Sequence, residues 1–189
     1  MKIVLFRGSP RREGNTDILL GETLKAAGSG NEVIFFTLND MNIRPCQNCG
    51  GCDETGICVL KDDMDDIYSA IREADRIIMA SPIFFFGLTA QTKIMIDRCQ
   101  AFWCEKYLLK KTVPSGPYGR KGLLLLVGGM KNDTGIQCAG ATATAFFRTI
   151  SVPEHNTLSY LSIDNKGAIL NHPSAPKDAY EAGTKLVAL

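Results

Sequence analysis

Residues Lys121 to Val127 contain four consecutive leucines, Leu123 to Leu126. Successive side chains of a strand point to opposite faces, so this run puts apolar groups on both. Only a central strand covered on both faces accommodates that. Elsewhere short apolar runs alternate with amphipathic ones, the pattern of an α/β sheet. Strands are predicted at Lys2 to Arg7, Glu32 to Leu38, Arg76 to Ala80, Lys121 to Val127 and Leu158 to Ile163. Helices are predicted at Thr16 to Ala27, Asp63 to Glu73, Thr89 to Trp103, Gln137 to Ile150 and Ala175 to Leu189. Thr112 to Arg120, with Pro114, Gly116, Pro117 and Gly119, reads as a surface loop. The fold class is therefore α/β: a doubly wound, five-stranded parallel sheet in one domain over residues 1–189. An irregular, cysteine-rich segment (39–62) is inserted after the second strand, and 165–189 forms a C-terminal extension.

Composition bounds the partners. Lys plus Arg is 21 and Asp plus Glu is 20, a formal net charge of +1. This balance gives no electrostatic footprint for nucleic acid or an anionic membrane surface. No apolar run approaches the roughly 20 residues of a membrane span, and the run from Met1 to Phe6 is too short for a signal-peptide core. A soluble, cytoplasmic protein is the expectation, with no nucleic-acid or membrane partner.

In doubly wound sheets, ligands bind beyond the carboxyl ends of the strands, which points to the loops after strands one, three and four. The first runs Gly8-Ser9-Pro10-Arg11-Arg12-Glu13-Gly14-Asn15-Thr16 into a helix start. A helix N-terminus offers free N–H groups and partial positive charge to a phosphate. Ser9, Asn15 and Thr16 add donors, Gly14 lets the backbone approach, and Arg11 adds charge. Neither a G-x-G-x-x-G nor a Walker ending is present, so the loop reads as a site for one terminal phosphate, as on FMN. Its alternative reading is a helix cap holding nothing. The second loop, Ser81-Pro82-Ile83-Phe84-Phe85-Phe86-Gly87, is too aromatic for an ordinary solvent-facing loop and reads as a wall for a flat apolar ring such as isoalloxazine. Its alternative is core or subunit interface. Gly129, in the loop after strand four, is placed at the other edge of the flavin. Lys93 and Asp97, four apart on a helix, are expected to pair.

These loops, with Thr89-Ala90, Lys93 and Asp97-Arg98, resemble the NADPH-dependent FMN reductase branch of the flavodoxin-like superfamily. The resemblance implies that the first loop holds the FMN phosphate and the second lies along the isoalloxazine. Many relatives place Tyr where this chain has Phe84, so a phenol hydrogen bond is lost here.

Cys46, Cys49, Cys52 and Cys58 follow C-x2-C-x2-C-x5-C. Thiolates at two-residue gaps can each take one iron of a cubane, with Cys58 closing a 4Fe-4S site. Gly50, Gly51 and Gly56 permit the tight backbone this requires. Zinc competes as an occupant, though a second separated C-x2-C pair is lacking. So do a Cys49–Cys52 redox disulfide and free thiols in a substrate loop ahead of Lys61-Asp62-Asp63-Met64. Cys99, Cys104 and Cys138 read as buried helix residues, and His155 and His172 as surface loop residues. On an FMN reductase scaffold, the compact four-cysteine motif resembles the iron–sulfur flavoprotein family. That likeness implies a homo-oligomer, dimer or tetramer, in which electrons pass between a 4Fe-4S cluster and FMN.

The reading is an FMN-dependent oxidoreductase that links a one-electron carrier, such as a ferredoxin-like protein, to a small-molecule acceptor. No catalytic acid or base stands out. The alternatives are an NAD(P)H-dependent FMN or quinone reductase without a cluster, with NAD(P)H as donor, and a non-enzymatic flavodoxin-like carrier.

Overall fold

A computed structural model describes residues 1–111 and 113–188. Thr112, at the head of the predicted surface loop, and Leu189, at the end of the predicted last helix, lie outside the described residues. Five strands form one parallel sheet: β1 (Lys2–Arg7), β2 (Glu32–Thr37), β3 (Arg76–Pro82), β4 (Lys121–Val127) and β5 (Glu154–Tyr160). Their spatial order is β2-β1-β3-β4-β5, with every neighbouring pair parallel. Strand order reverses between β1 and β3, the switch point of a flavodoxin-like sheet.

The leucine run does what its pattern predicts. Leu124 and Leu126 join Val4, Phe6, Ile77 and Met79 on one face, covered by α2 (Met64–Glu73), α3 (Ala90–Arg98) and α5 (Thr134–Thr149). Leu123 and Leu125 join Ile3, Leu5 and Ile78 on the other, under α1 (Asn15–Ala27) and α6 (Ala175–Val187). α1 and α6 touch closely because Gly183 lacks a side chain: a Cβ there would overlap the carbonyl of Thr23.

Several boundaries differ from the sequence reading. β5 begins at Glu154, four residues before the predicted start, and ends at Tyr160. Its first residues, Glu154-His155-Asn156-Thr157, are polar because β5 is an edge strand, so no apolar run marks them. His155 is consequently not a loop residue. It lies in β5 with its ring 4.6 Å from that of Phe147. β3 extends through Ser81 and Pro82. The predicted helix from Thr89 to Trp103 breaks at Cys99, resumes as α4 (Gln100–Trp103) and opens into a wide turn, Cys104–Leu108. Arg120 is not on the surface: buried, it donates to the carbonyls of Ala74 and Ile71 at the end of α2, the acceptors a helix terminus leaves open. Burial lowers its pKa to about 10. Cys138 is exposed on α5, whereas Cys99 and Cys104 are buried as expected. Lys93 and Asp97 do pair, at 2.7 Å. Among the described residues no helix is long and apolar enough to cross a membrane.

Candidate functional site

Two cavities concern the residues singled out above. The first lies at the carboxyl edge of the sheet and measures about 310 Å³, within the usual range for a small-molecule site. The loop after β1 contributes Ser9, Pro10, Arg11, Gly14, Asn15 and Thr16. Pro82, Ile83 and Phe84 come from the end of β3, and Val127 and Gly129 from the end of β4. Ile163 and Asp164, after β5, close it.

Tight backbone contacts set this geometry. The Gly8 N–H donates to the Ala80 carbonyl at 2.7 Å, and the Thr89 hydroxyl donates to the Gly8 carbonyl at 2.7 Å. A Cβ on residue 8 would overlap the Thr92 hydroxyl, so only glycine lets the β1 loop sit against the start of α3. Gly14 is the N-cap of α1, and no side chain caps the helix. The first N–H groups of a 13-residue helix therefore open at the cavity. The Asn15 side chain is engaged elsewhere. Its Nδ2 donates to the Asn165 carbonyl at 2.9 Å and its Oδ1 accepts from the Ile169 N–H at 3.2 Å. It holds the segment after β5 over the cavity and offers a ligand only its backbone. Ser9 is buried, its Oγ accepting from the Arg11 N–H at 3.2 Å. Arg11 is exposed and reaches the Asp164 carbonyl at 3.0 Å.

Most of the predicted phosphate and ring residues thus meet in one cavity, but three do not line it. Phe85, Phe86 and Gly87 form the outer part of a tight hairpin in which Phe84 and Gly87 exchange backbone hydrogen bonds at 3.0 and 2.9 Å. Phe85 and Phe86 have φ of 47° and 62°, the left-handed pair that a type I′ turn requires. Phe85 is fully exposed. The sequence reading missed Pro10, Val127, Ile163 and Asp164. Ile163 reads from sequence as the end of the fifth strand, with Asp164 just after it; the signal that marks them is another strand carboxyl end.

The second cavity lies between the cysteine segment and the α3–α4 junction. Cys46, Cys49, Cys52 and Cys58 all line it, with Leu60, Arg98 and Gln100. No disulfide joins them. Gly50 and Gly56, at φ of 73° and 71°, supply left-handed turns within the segment. A buried pair anchors the segment: Arg98 Nη1 donates to Asp62 Oδ2 at 2.7 Å, with side chains only 1% and 3% exposed. The same guanidinium reaches the Arg44 carbonyl at 2.8 Å and the Leu60 carbonyl at 3.4 Å, so one arginine clasps both ends of the loop. Burial works against the Asp62 carboxylate, but Arg98 and the N–H groups of Arg44 and Met64 hold its pKa below the usual carboxylate value. The Arg98 Nε, by contrast, is buried without a partner. Burial raises the pKa of Cys52. It also pushes that of Cys104 up to about 12, helped by contacts with Asp53 and Cys52.

The chain is similar to known proteins. The family model for NADPH-dependent FMN reductase matches residues 1–159. An iron–sulfur flavoprotein of Methanocaldococcus jannaschii is 46% identical over 99 residues, 52% of this chain and 51% of that protein. A second iron–sulfur flavoprotein of the same organism is 33% identical over 149 residues, 78% and 71% of the two chains. The chain spans about half to two thirds of the length of the first curated relatives it matches. The solved NAD(P)H:quinone oxidoreductase from Methanothermobacter marburgensis superposes with a TM-score of 0.73, covering 100% of this chain and 97% of that one. Its identity is 14%, a likeness of fold alone. By these sequence matches, the chain belongs to the iron–sulfur flavoprotein family, within the NADPH-dependent FMN reductase superfamily.

Proposed function

We propose that the protein is an FMN-dependent oxidoreductase with two redox centres: FMN at the carboxyl edge of the sheet and a 4Fe-4S cluster on Cys46, Cys49, Cys52 and Cys58. The observation that carries the reading is the convergence of four unbridged thiols on one cavity, in a chain whose other cavity opens on an uncapped helix N-terminus. Bound FMN supplies one- or two-electron chemistry and a cluster supplies one-electron chemistry, so together they join a one-electron carrier to a two-electron acceptor.

The residues present fit both groups. The N-terminus of α1 with Ser9, Arg11, Gly14, Asn15 and Thr16 would hold the phosphate, the Asn15 contribution being its backbone N–H. Pro82, Ile83, Phe84 and Gly129 would flank the ring. Phe85, Phe86 and Gly87 stand at the rim rather than in the wall. At the cysteine centre, four thiolates satisfy the ligand count of a cubane, and the unpartnered Nε–H of Arg98 leaves one buried donor beside them. No side chain is assigned as a catalytic acid or base. A ferredoxin-like carrier and a small-molecule acceptor are the proposed partners, in a cytoplasmic homo-oligomer.

Anaerobic purification tests this. Flavin absorbance with about four irons and four acid-labile sulfides per chain is the expected result, with the iron lost in C58A. Flavin with no iron or sulfide after anaerobic reconstitution removes the cluster. The second reading, an NAD(P)H-dependent FMN or quinone reductase, is favoured by the family match over residues 1–159. In that case NADPH alone bleaches the flavin rapidly, whether or not iron is present.

A further inference from the structure

Cys104 has the sequence context of an ordinary core thiol. Its sulfur nevertheless sits 3.6 Å from Cys52 Sγ and 3.2 Å from Asp53 Oδ1. These three ligand atoms lie within 4.8 Å of one another. Gln100, one helical turn before Cys104, places Nε2 3.6 Å from the same sulfur. We propose that Cys52, Asp53 and Cys104 form a separate binding site for a single tetrahedral divalent ion of the zinc class. The site shares Cys52 with the four-cysteine motif and competes with it. The inference goes beyond the proposed function and concerns the reduced chain before a cluster assembles.

Spacing distinguishes this site from the alternatives. A disulfide needs sulfurs about 2.05 Å apart, and these are far outside bonding distance. Ligands of a cubane each take a different iron, so their sulfurs belong to different metal corners. A tetrahedral ion with metal–sulfur bonds of about 2.3 Å and a metal–oxygen bond of about 2.1 Å spans its thiolates at about 3.8 Å and a thiolate–carboxylate edge at about 3.6 Å. Both edges found here are shorter by a few tenths of an ångström, which small side-chain rotations take up.

The chemistry of the donors agrees. Two thiolates select a soft or borderline ion over Mg²⁺ or Ca²⁺, and a carboxylate completes a set that zinc accepts. Cys104 is buried, but Asp53 is exposed and Cys52 half-buried, so an ion has a way in and its fourth position is left to water. The Gln100 amide is placed to donate to the Cys104 sulfur, the kind of outer contact that orients a ligand. Bridging Cys52 to Cys104 would also fasten the cysteine segment to the turn after α4. Cys52 cannot serve this ion and a cubane corner at once, so zinc at this site and a complete cluster exclude each other.

The test uses the full-length, metal-free chain, reduced with a phosphine without air and titrated with Co²⁺ as a spectroscopic probe. The expected result is one equivalent bound, with sulfur-to-cobalt charge transfer and tetrahedral visible bands, displaced by one equivalent of Zn²⁺. C104S should weaken binding by about 100-fold or more and D53N by about 10-fold or more. C46S, which removes no proposed ligand, should leave it unchanged. D53N, at an exposed position, keeps the test readable if C104S fails to fold. Absence of the tetrahedral bands overturns the proposal. So does wild-type affinity in a folded C104S or in D53N, or loss of the bands in C46S.

Discussion

The carboxyl-edge cavity takes its shape from strand ends and a helix start that the core positions in any case. The cysteine cavity instead depends on a loop with no helix or strand between Met41 and Asp63, tied to the fold by one buried ion pair. The first is a site made by topology: its walls come from four different strand ends, and each hydrogen bond described there has a backbone partner. The second is made by covalent spacing, and its position relies on a few polar side chains. The two should therefore fail differently. Damage to the sheet edge should impair one centre, and damage to the clasp the other.

Asp62→Asn gives the largest expected effect. It leaves Arg98 charged and buried without its partner, a change that costs about 3–5 kcal/mol. Urea unfolding should show a correspondingly lower midpoint, and the motif thiols should react faster with an aromatic disulfide while the protein remains folded. Replacing both partners with apolar residues (D62L with R98M) should restore most of the stability, because no unpaired charge remains. If Asp62→Asn leaves thiol reactivity unchanged, the loop is held by something other than this pair.

Acid sharpens the same contrast without mutation. The folded pKa of Asp62 lies below that of an unfolded carboxylate, about 3.9. The pair's contribution is therefore complete above about pH 3.9 and is lost as pH falls through the lower folded value. Thiol reactivity of the motif cysteines in the native state, followed from pH 6 downward by a reagent that reacts in acid, should rise only in that lower window. The profile of Asp62→Asn should be flat there.

Gly8→Ala attacks the other site. The new methyl would overlap the Thr92 hydroxyl and stand 3.1 Å from the Ala80 carbonyl, an overpacking expected to cost about 1–3 kcal/mol. The β1 loop must shift to accommodate it, and the start of α1 moves with that loop. FMN affinity, measured by fluorescence quenching, should fall at least about tenfold, while iron uptake at the cysteine centre stays as in the unmodified chain. Equal loss at both centres would mean that they are not independently built.

This difference in construction also decides what the sequence could reveal. The sheet was legible because burial on both faces leaves an unmistakable mark, as in Leu123 to Leu126. β5 was misplaced because an edge strand beginning Glu154-His155-Asn156-Thr157 need not be apolar. The β1 loop could be recognised from residues adjacent in the chain. Ile163 and Asp164 carry no such local mark: only their place at a strand's carboxyl end points to the cavity, which they reach from a distant segment held by Asn15. The four-cysteine spacing was legible for the same local reason, whereas the approach of Cys104 to Cys52 spans 52 positions and depends on the break in the helix at Cys99. The Asp62–Arg98 clasp likewise joins residues 36 apart, and nothing local marks either as buried.

The smallest expected effect concerns the hairpin between the two regimes, Phe84 to Gly87, which carries an aromatic wall residue at its base and two strained residues at its tip. Phe85 and Phe86 occupy left-handed conformations that Asn and Gly adopt far more readily. Non-glycine residues held there cost of order 1–3 kcal/mol each, and Phe85, being fully exposed, recovers none of this by packing within its own chain. The double variant F85N/F86G should therefore stabilise an isolated chain by about 1 kcal/mol, after allowance for the partial burial Phe86 gives up, raising Tm by about 2–4 °C. FMN affinity should change little, since neither residue lines the cavity. Thermal unfolding at several protein concentrations checks this. A gain independent of concentration places the tip in solvent. A loss that grows with protein concentration means that the aromatics are covered by a second copy of the chain, and that the strain is maintained by an interface rather than by the flavin site.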